Sequence, residues 1–432
     1  MTDTSGRRKW SVALRGIGAL AAVVIVAACS SSPSSSSSSP ATSAASSASS
    51  SSSATSSSTA AAATGSPINI GMICDCTAAL ASAGTDAPDI YQAWADSVNA
   101  AGGINGHPVK VIIDTENGSP GTVLTDVENL VNNDHIISLV DVSNLDETFA
   151  SFMKAHNVPV IGINTSEAPF YSNSAFYPEA QTEDALFASV IDSAKSAGAT
   201  NLGLLYCAEA VQCQEAIAPL KAATSAMKLP LEYSGEISAT APNYTAQCVA
   251  AQQAHVTALF IADIAVVAAK VAQDCSEQGY HPVYVLDGED LTGSFATTAG
   301  LKDNLVGPSP DVPFYASTSA VTDMNAALDK YYPGLRENTS VYNEFSMGSW
   351  VSGLEFAAAA KAGGLGANGT TPTAAEITTG LNSLKGDTLD GMAPPLTFTN
   401  GEAHPVDCWF TYELKNGKFT LPKGTSTTCE TS

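Results

Sequence analysis

Nine cysteines and six histidines hold the most chemistry in this 432-residue chain. Cysteine and histidine together bind metal when they cluster at short spacings such as C-x-x-C with histidines close by. Here His107, His135, His156, His255, His281 and His404 are scattered singly. They read as surface or packing residues, and no metal site is expected. Catalytic signatures are missing too. There is no G-x-S-x-G elbow and no H-E-x-x-H pair, and Gly102-Gly103-Ile104-Asn105-Gly106 is not a G-x-G-x-x-G loop. The expectation is a protein that is not an enzyme and uses no cofactor. Eight cysteines remain once Cys29 is set aside, and an even set in an exported chain suggests disulfides. Their spacing does not single out one map. Proximity favours Cys207–Cys213, Cys248–Cys275 and Cys408–Cys429, which leaves Cys74 and Cys76 for each other in a tight C-x-C ring.

Cys29 sits in a different setting. Arg7, Arg8, Lys9 and Arg15 precede an uncharged apolar run over 17–28. That run is too short to span a bilayer comfortably and suits the core of a signal peptide. It ends in Val26-Ala27-Ala28-Cys29, which resembles the bacterial lipobox, in which cleavage falls before the cysteine and its sulfur carries a diacylglycerol. Residues 1–28 are therefore expected to be a lipoprotein signal peptide, with Cys29 as the lipid anchor. Arg7-Arg8 hints at twin-arginine export, but the rest of that motif is poor and ordinary secretion is favoured. Residues 29–66 continue as Ser, Ala and Thr with almost nothing apolar and large, so they form no core and read as a disordered tether. As a flexible coil it would reach roughly 35 Å. The expected location is the outer face of the bacterial cell membrane.

Without residues 1–28 the chain keeps 14 Lys+Arg against 41 Asp+Glu, a net charge of −27. Such a surface repels nucleic acid and anionic lipid, so neither is an expected partner. The remaining 67–432 is too long for one simple domain and suits two lobes.

Short β-branched runs alternate with helical stripes along that length. Strands are predicted at 68–73, 109–113, 136–140 and 158–163. The stripe Ile90, Trp94, Val98 marks a first helix, Val123, Val127, Leu130 and Val131 a second, and 146–156 a third. The rhythm restarts with helix 183–197. Strands follow at 202–206, 231–237, 258–262 and 283–286, with helices at 211–227, 244–254 and 264–278. Further helices are predicted at 319–331, 344–362 and 373–384, and Asn416-Gly417 lies between two short runs as a hairpin signal. Repeated βαβ units imply parallel sheets covered on both faces, here twice: an α/β protein of two doubly wound, Rossmann-like lobes. In such sheets ligands sit outside the carboxyl ends of the strands. That points to the loops 74–86, 141–146, 164–169, 263–265 and 287–292.

The stretch Asn99 to Val111 (NAAGGINGHPVKV), followed by Val127-Glu-Asn-Leu-Val, resembles the branched-chain amino-acid-binding family of periplasmic binding proteins. The same order of elements continues through most of the folded chain. The glycine-rich run has a structural role, a helix stop and a turn. The resemblance implies the type I periplasmic binding protein fold, with a hinge of three crossings. Lobe one would comprise 67–184 plus 312–398, and lobe two 185–311 plus 399–432. It implies a small polar ligand, an amino acid or a related amide, urea or aromatic acid, captured by hinge closure and handed to an ABC-importer permease. It also implies ligand-binding hydroxyls after the third and fourth strands, here Ser143 with Asn144, and Ser166 with Thr165. A lobe-two acid that holds the ligand ammonium falls at Glu289, with Asp287 and Asp290 as competitors. The sequence departs from the family at Asp263-Ile264, where amino-acid binders usually present an aromatic. This counts against a branched-chain amino acid and makes Asp263 a further candidate.

A ligand-sensing surface receptor would share the fold and the cleft, and a signalling gene in place of a permease gene beside it would mark that reading. An exported hydrolase with a nonlocal triad is the more distant alternative, told apart by substrate turnover. No oligomer interface shows in the sequence, so a monomer is expected.

Overall fold

The structure, a computed structural model, describes residues 62–76, 84–116, 118–209, 211–339 and 342–430. The expected signal peptide, Cys29 and most of the expected tether lie outside the described residues.

The first half is a run of parallel βα units. Strands β1 (Ile68–Cys74), β2 (Val109–Thr115), β3 (Ser138–Val142), β4 (Val160–Gly162) and β5 (Phe176–Tyr177) alternate with helices α1 (Ala87–Ala100), α2 (Pro120–Asn132), α3 (Ala150–His156) and α4 (Ala168–Ser172). They form one sheet in the order β2-β1-β3-β4-β5, parallel throughout. Helix α1 starts at a proline in its first turn and buries Ile90, Tyr91 and Trp94. It stops where Gly102 and Gly103 take φ of 100° and 74°. Asn99 then clasps the incoming strand, its amide donating to the Val109 carbonyl and its Oδ1 accepting the Val109 N–H, both at 2.8 Å. This is the turn role expected of the glycine-rich run. His107 is buried there as a packing residue, its ring nitrogens on the Ser66 and Gly366 carbonyls.

The second half repeats the plan. Helix α5 (Leu186–Ser196) leads to β6 (Leu202–Cys207), α6 (Val211–Glu215), α7 (Ile217–Ala226), β7 (Leu231–Ile237), α8 (Thr245–Gln253), β8 (Ala258–Ala262), α9 (Ala265–Glu277), β9 (Val283–Val285) and β10 (Leu305–Ser309). The parallel order β7-β6-β8-β9-β10 copies that of the first sheet. Helices α10 (Ser319–Tyr331), α11 (Glu344–Gly363) and α12 (Ala374–Leu381) return to the first sheet and share an apolar core with α1 and β1. A small ladder of β11 (Lys385–Asp387) and β12 (Leu396–Thr397) follows. The chain then enters the second sheet as β13 (Cys408–Lys415), antiparallel to β10. Asn416 and Gly417, at φ of 51° and 69°, turn it into β14 (Lys418–Thr420), and β15 (Thr428–Cys429) closes on β13. Each sheet is covered by apolar clusters on both faces.

Three stretches therefore connect the two sheets: 178–185, 310–318 and 398–407. They are stitched together where the Thr182 N–H donates to the Val406 carbonyl at 3.1 Å and the Val406 N–H donates to Thr182 Oγ1 at 2.9 Å. The Val312 N–H donates to Met392 O at 2.9 Å.

Several expectations differ in detail. The helices expected at 146–156 and 183–197 begin as short 3₁₀ turns, and the one at 211–227 breaks at Ala216. Strand β10 was not foreseen, because Gly307-Pro308 within it reads as a turn. The structure bonds Cys74 to Cys76, Cys207 to Cys213, Cys248 to Cys275 and Cys408 to Cys429. No helix among the described residues is long and apolar enough to cross a membrane.

Candidate functional site

Both sheets have the strand order 2-1-3, so each has a switch point where consecutive connections leave on opposite faces. Loops there splay apart and leave a crevice at the carboxyl ends. In the first sheet the switch strands are β1 and β3, paired Cys74 to Val142. They present Asp75 and Ser143-Asn144. In the second they are β6 and β8, paired Tyr206 to Ala262, and they present Cys207 and Asp263. The two crevices face each other across a cavity of about 510 Å³. From the first side it is lined by Asp75, Glu116, Val142, Asn144, Asn164, Ser166 and Glu167 among others. From the second come Cys207, Glu209, Asp263, Ile264, Glu289 and Asp290, and Phe345 at the start of α11 adds an aromatic wall.

The first wall is knit by hydrogen bonds. Asn164 Nδ2 donates to the Ser143 carbonyl at 2.6 Å and to Asn144 Oδ1 at 3.0 Å, and Ser166 Oγ donates to Asn164 Oδ1 at 2.6 Å. Asn164 thus locks the β3 and β4 loops together. The second wall is held by Asp287, whose carboxylate caps the turn 288–290 at the Glu289 N–H. Gly288 permits this turn, because a Cβ there would meet the Pro308–Ser309 backbone of β10 at 2.5 Å.

Charge dominates the cavity. Its lining carries seven carboxylates and no Lys, Arg or His among the described residues. The four ion pairs of the described residues lie elsewhere. Burial pushes Glu167 up to about 7, with Glu147 adding to the shift. Asp263 rises to about 6 for the same first reason, with Glu209 adding and the Ile264 N–H opposing. Burial also lifts Glu289 and Asp290 well above the usual range, and their acidic neighbours, Asp287 foremost, lift them further. Glu116 is raised by burial, against the opposing hydroxyl of Ser143. Behind the cavity, Asp287 is pushed up to about 6 by burial. Glu179 and Asp311 in the connecting stretches, and Glu344 and Glu355 on α11, continue the acidic cluster, all raised well above the usual range, with burial the first cause. Carboxylates so placed resist ionising together unless something positive joins them.

A model of the periplasmic binding protein family matches residues 67–418. The chain belongs to this family. Among solved structures it is similar to a branched-chain amino acid ABC transporter from Thermus thermophilus with bound valine, at 12% identity and a TM-score of 0.73, over 84% of this chain and 97% of that one. A branched-chain amino acid transporter substrate-binding protein from Streptococcus pneumoniae in complex with isoleucine gives 18% and 0.64, over 84% and 99%. A solute-binding protein from R. palustris in complex with benzoate gives 13% and 0.67, over 84% and 98%. No curated protein matches the chain in sequence. The family and these neighbours give it the type I periplasmic binding protein fold.

This periplasmic binding protein places its sequence-predicted site residues unequally. Asn144, Ser166, Asp263 and Glu289 all line the cavity. Ser143 does not. It is fully buried one layer back, where its hydroxyl donates to Glu116 Oε1 at 3.0 Å and accepts the Leu145 N–H at 2.9 Å. Thr165 also turns away from the cavity, donating to the Gln181 carbonyl at 2.7 Å beside the first connection. It borders only a small gap of about 10 Å³ shared with Asp287 and Glu289. Asp290, a competitor of Glu289 in the sequence, lines the cavity beside it, whereas Glu116, Glu167, Asn164 and Phe345 were not singled out as site residues. The loop after the second strand was left out because that strand was ended at 113, whereas β2 runs to Thr115 and delivers Glu116 to the wall. For Glu167, nothing local in the sequence tells a cleft carboxylate from a surface one.

Proposed function

We propose that the chain is the extracytoplasmic solute-binding lipoprotein of an ABC importer. It captures a small ligand bearing polar groups between lobe one (67–184 plus 312–398) and lobe two (185–311 plus 399–432), as a monomer tethered through Cys29. The observation that carries this reading is the cavity of about 510 Å³ walled by strand-end loops of both sheets. Three stretches connect the two sheets, and rotation about them would open or close the cavity while both sheets stay intact. Tethering by lipid and a Ser/Ala-rich segment keeps the captured solute near a membrane permease.

A thermal-shift screen of the protein, refolded to strip co-purified ligand, tests this against amino acids, amides, urea, amines and aromatic acids. At a hundredfold excess over Kd a captured ligand adds about 2.7 kcal/mol of stability. One responding chemical class is the expected result. Silence across the panel, or turnover of any member, would overturn capture as the function.

A further inference from the structure

A second cavity, of about 350 Å³, lies inside lobe two beneath α6 and α7. Its walls are mainly apolar, with Leu204 and Phe260 on the strands, Phe187 from α5, and Ala216 and Leu220 at α7. It shares Cys207, Asp263, Ile264 and Asp290 with the cleft cavity, so the two adjoin at a rim that carries two carboxylates. The Cys207–Cys213 disulfide ties α6 to the end of β6 over this chamber.

We propose that the captured ligand is an organic cation with an apolar body, its charged head held in the cleft and its body lodged in the lobe-two chamber. This rests on reading the cleft as the capture site. Two observations carry the charge, and the adjoining apolar chamber carries the body. The cleft lining is acidic on both sides, with Glu116 and Glu167 facing Asp263, Glu289 and Asp290, and no basic side chain among the described residues joins them. Glu116 is 1% exposed, and its Oε2 has no hydrogen-bond partner; Asp263 Oδ2 is likewise buried and unpartnered. Buried carboxylate oxygens of this kind are costly unless a positive group meets them.

The nature of the cation follows from shape. No group of three or more acidic, His or Cys side chains among the described residues is arranged to hold a metal ion. The carboxylates instead ring a space the size of a small molecule, which suits an ammonium or guanidinium head. A purely hydrophilic polyamine would leave the apolar chamber unused, whereas an aliphatic or aromatic body fills it and gains burial.

The test uses the full-length protein in calorimetry with four probes that separate charge from body. Phenethylamine is a cation with an apolar body, phenylalanine the zwitterion, 3-phenylpropionate the anion, and putrescine a cation without such a body. Phenethylamine should bind about tenfold or more tighter than phenylalanine, and 3-phenylpropionate should give no heat. Asp263→Asn and Glu289→Gln should each weaken phenethylamine roughly tenfold. Ala216→Phe, which fills the chamber, should weaken phenethylamine by more than it weakens putrescine. If phenylalanine or 3-phenylpropionate binds as tightly as phenethylamine, the assignment of charge is overturned while capture stands. If putrescine binds more tightly than phenethylamine, or Ala216→Phe fails to discriminate, the apolar body is overturned. Silence from all four, with leucine, urea or benzoate protecting the protein, overturns the ligand class. Silence from every compound overturns capture as well.

Discussion

Ser143 shows how a residue can stand in the expected loop and have no free group to offer. Its hydroxyl bridges the Leu145 N–H and the Glu116 carboxylate from a fully buried position. Removing it orphans one buried donor and strips Glu116 of its hydroxyl partner. Ser143→Ala is therefore expected to lower stability by about 1–3 kcal/mol in chemical denaturation. Were Ser143 a ligand contact instead, the substitution would weaken ligand binding and leave the melting temperature of the empty protein nearly unchanged. That outcome would return Ser143 to the binding wall. Strand periodicity and the family resemblance were enough to bring Asn144, Ser166, Asp263 and Glu289 to the cavity. They could not show which hydroxyls were already engaged, because the partners Glu116 and Gln181 come from other segments of the chain.

The elements themselves were legible wherever their signal was local. Asn416-Gly417 adopts the left-handed pair of conformations that a two-residue hairpin needs, and the turn forms where the dipeptide stands. Strand β10 is the counter-example. Its Gly307-Pro308 step looks like a turn, yet it lies between β9 and β13. Glycine is required there because a Cβ would collide with the Leu286 carbonyl and the Tyr412 ring. The packing of α11 on α12 is also set by contact and not by pattern. A Cβ at Gly380 would fall onto the Ala359 carbonyl, and one at Gly363 onto that of Glu376. Gly380→Ala should therefore force the two helices apart and cost about 1–3 kcal/mol or more. Gly121, near the start of α2 with open space around its Cβ position, is the control. Gly121→Ala should be neutral or stabilising by about 0.4–1 kcal/mol. Equal losses at both positions in urea denaturation would remove close helix contact as the explanation.

For the whole molecule the decisive feature is uncompensated acid between the lobes. Asp263 and Asp287 at about 6 and Glu167 at about 7 hold protons more tightly in the folded protein than in the unfolded chain. Their contribution to stability is thus complete below the ordinary carboxylate range and is lost as pH rises through 6 to 7. The melting temperature of the ligand-free protein should fall between pH 5 and pH 8. His404 works in the other direction. Burial lowers it to about 4, so the folded protein keeps it neutral while the unfolded chain takes up a proton below the ordinary value of 6.5, and it opposes folding increasingly as pH falls from there. A bound cation favours the ionised carboxylates, so its affinity should rise over the same interval and binding near pH 6 should release protons. A melting temperature that climbs from pH 5 to pH 8 without ligand would contradict the arrangement of acids described above. The sequence determined the alternation of strands and helices, the hairpin and the favoured cysteine pairs, because each depends on residues close together in the chain. Only the tertiary structure decided which carboxylates face the cleft, which hydroxyls are already engaged, and that an apolar chamber adjoins the acidic rim. Those properties follow from desolvation and like-charge crowding among side chains as far apart in sequence as Glu116 and Glu289.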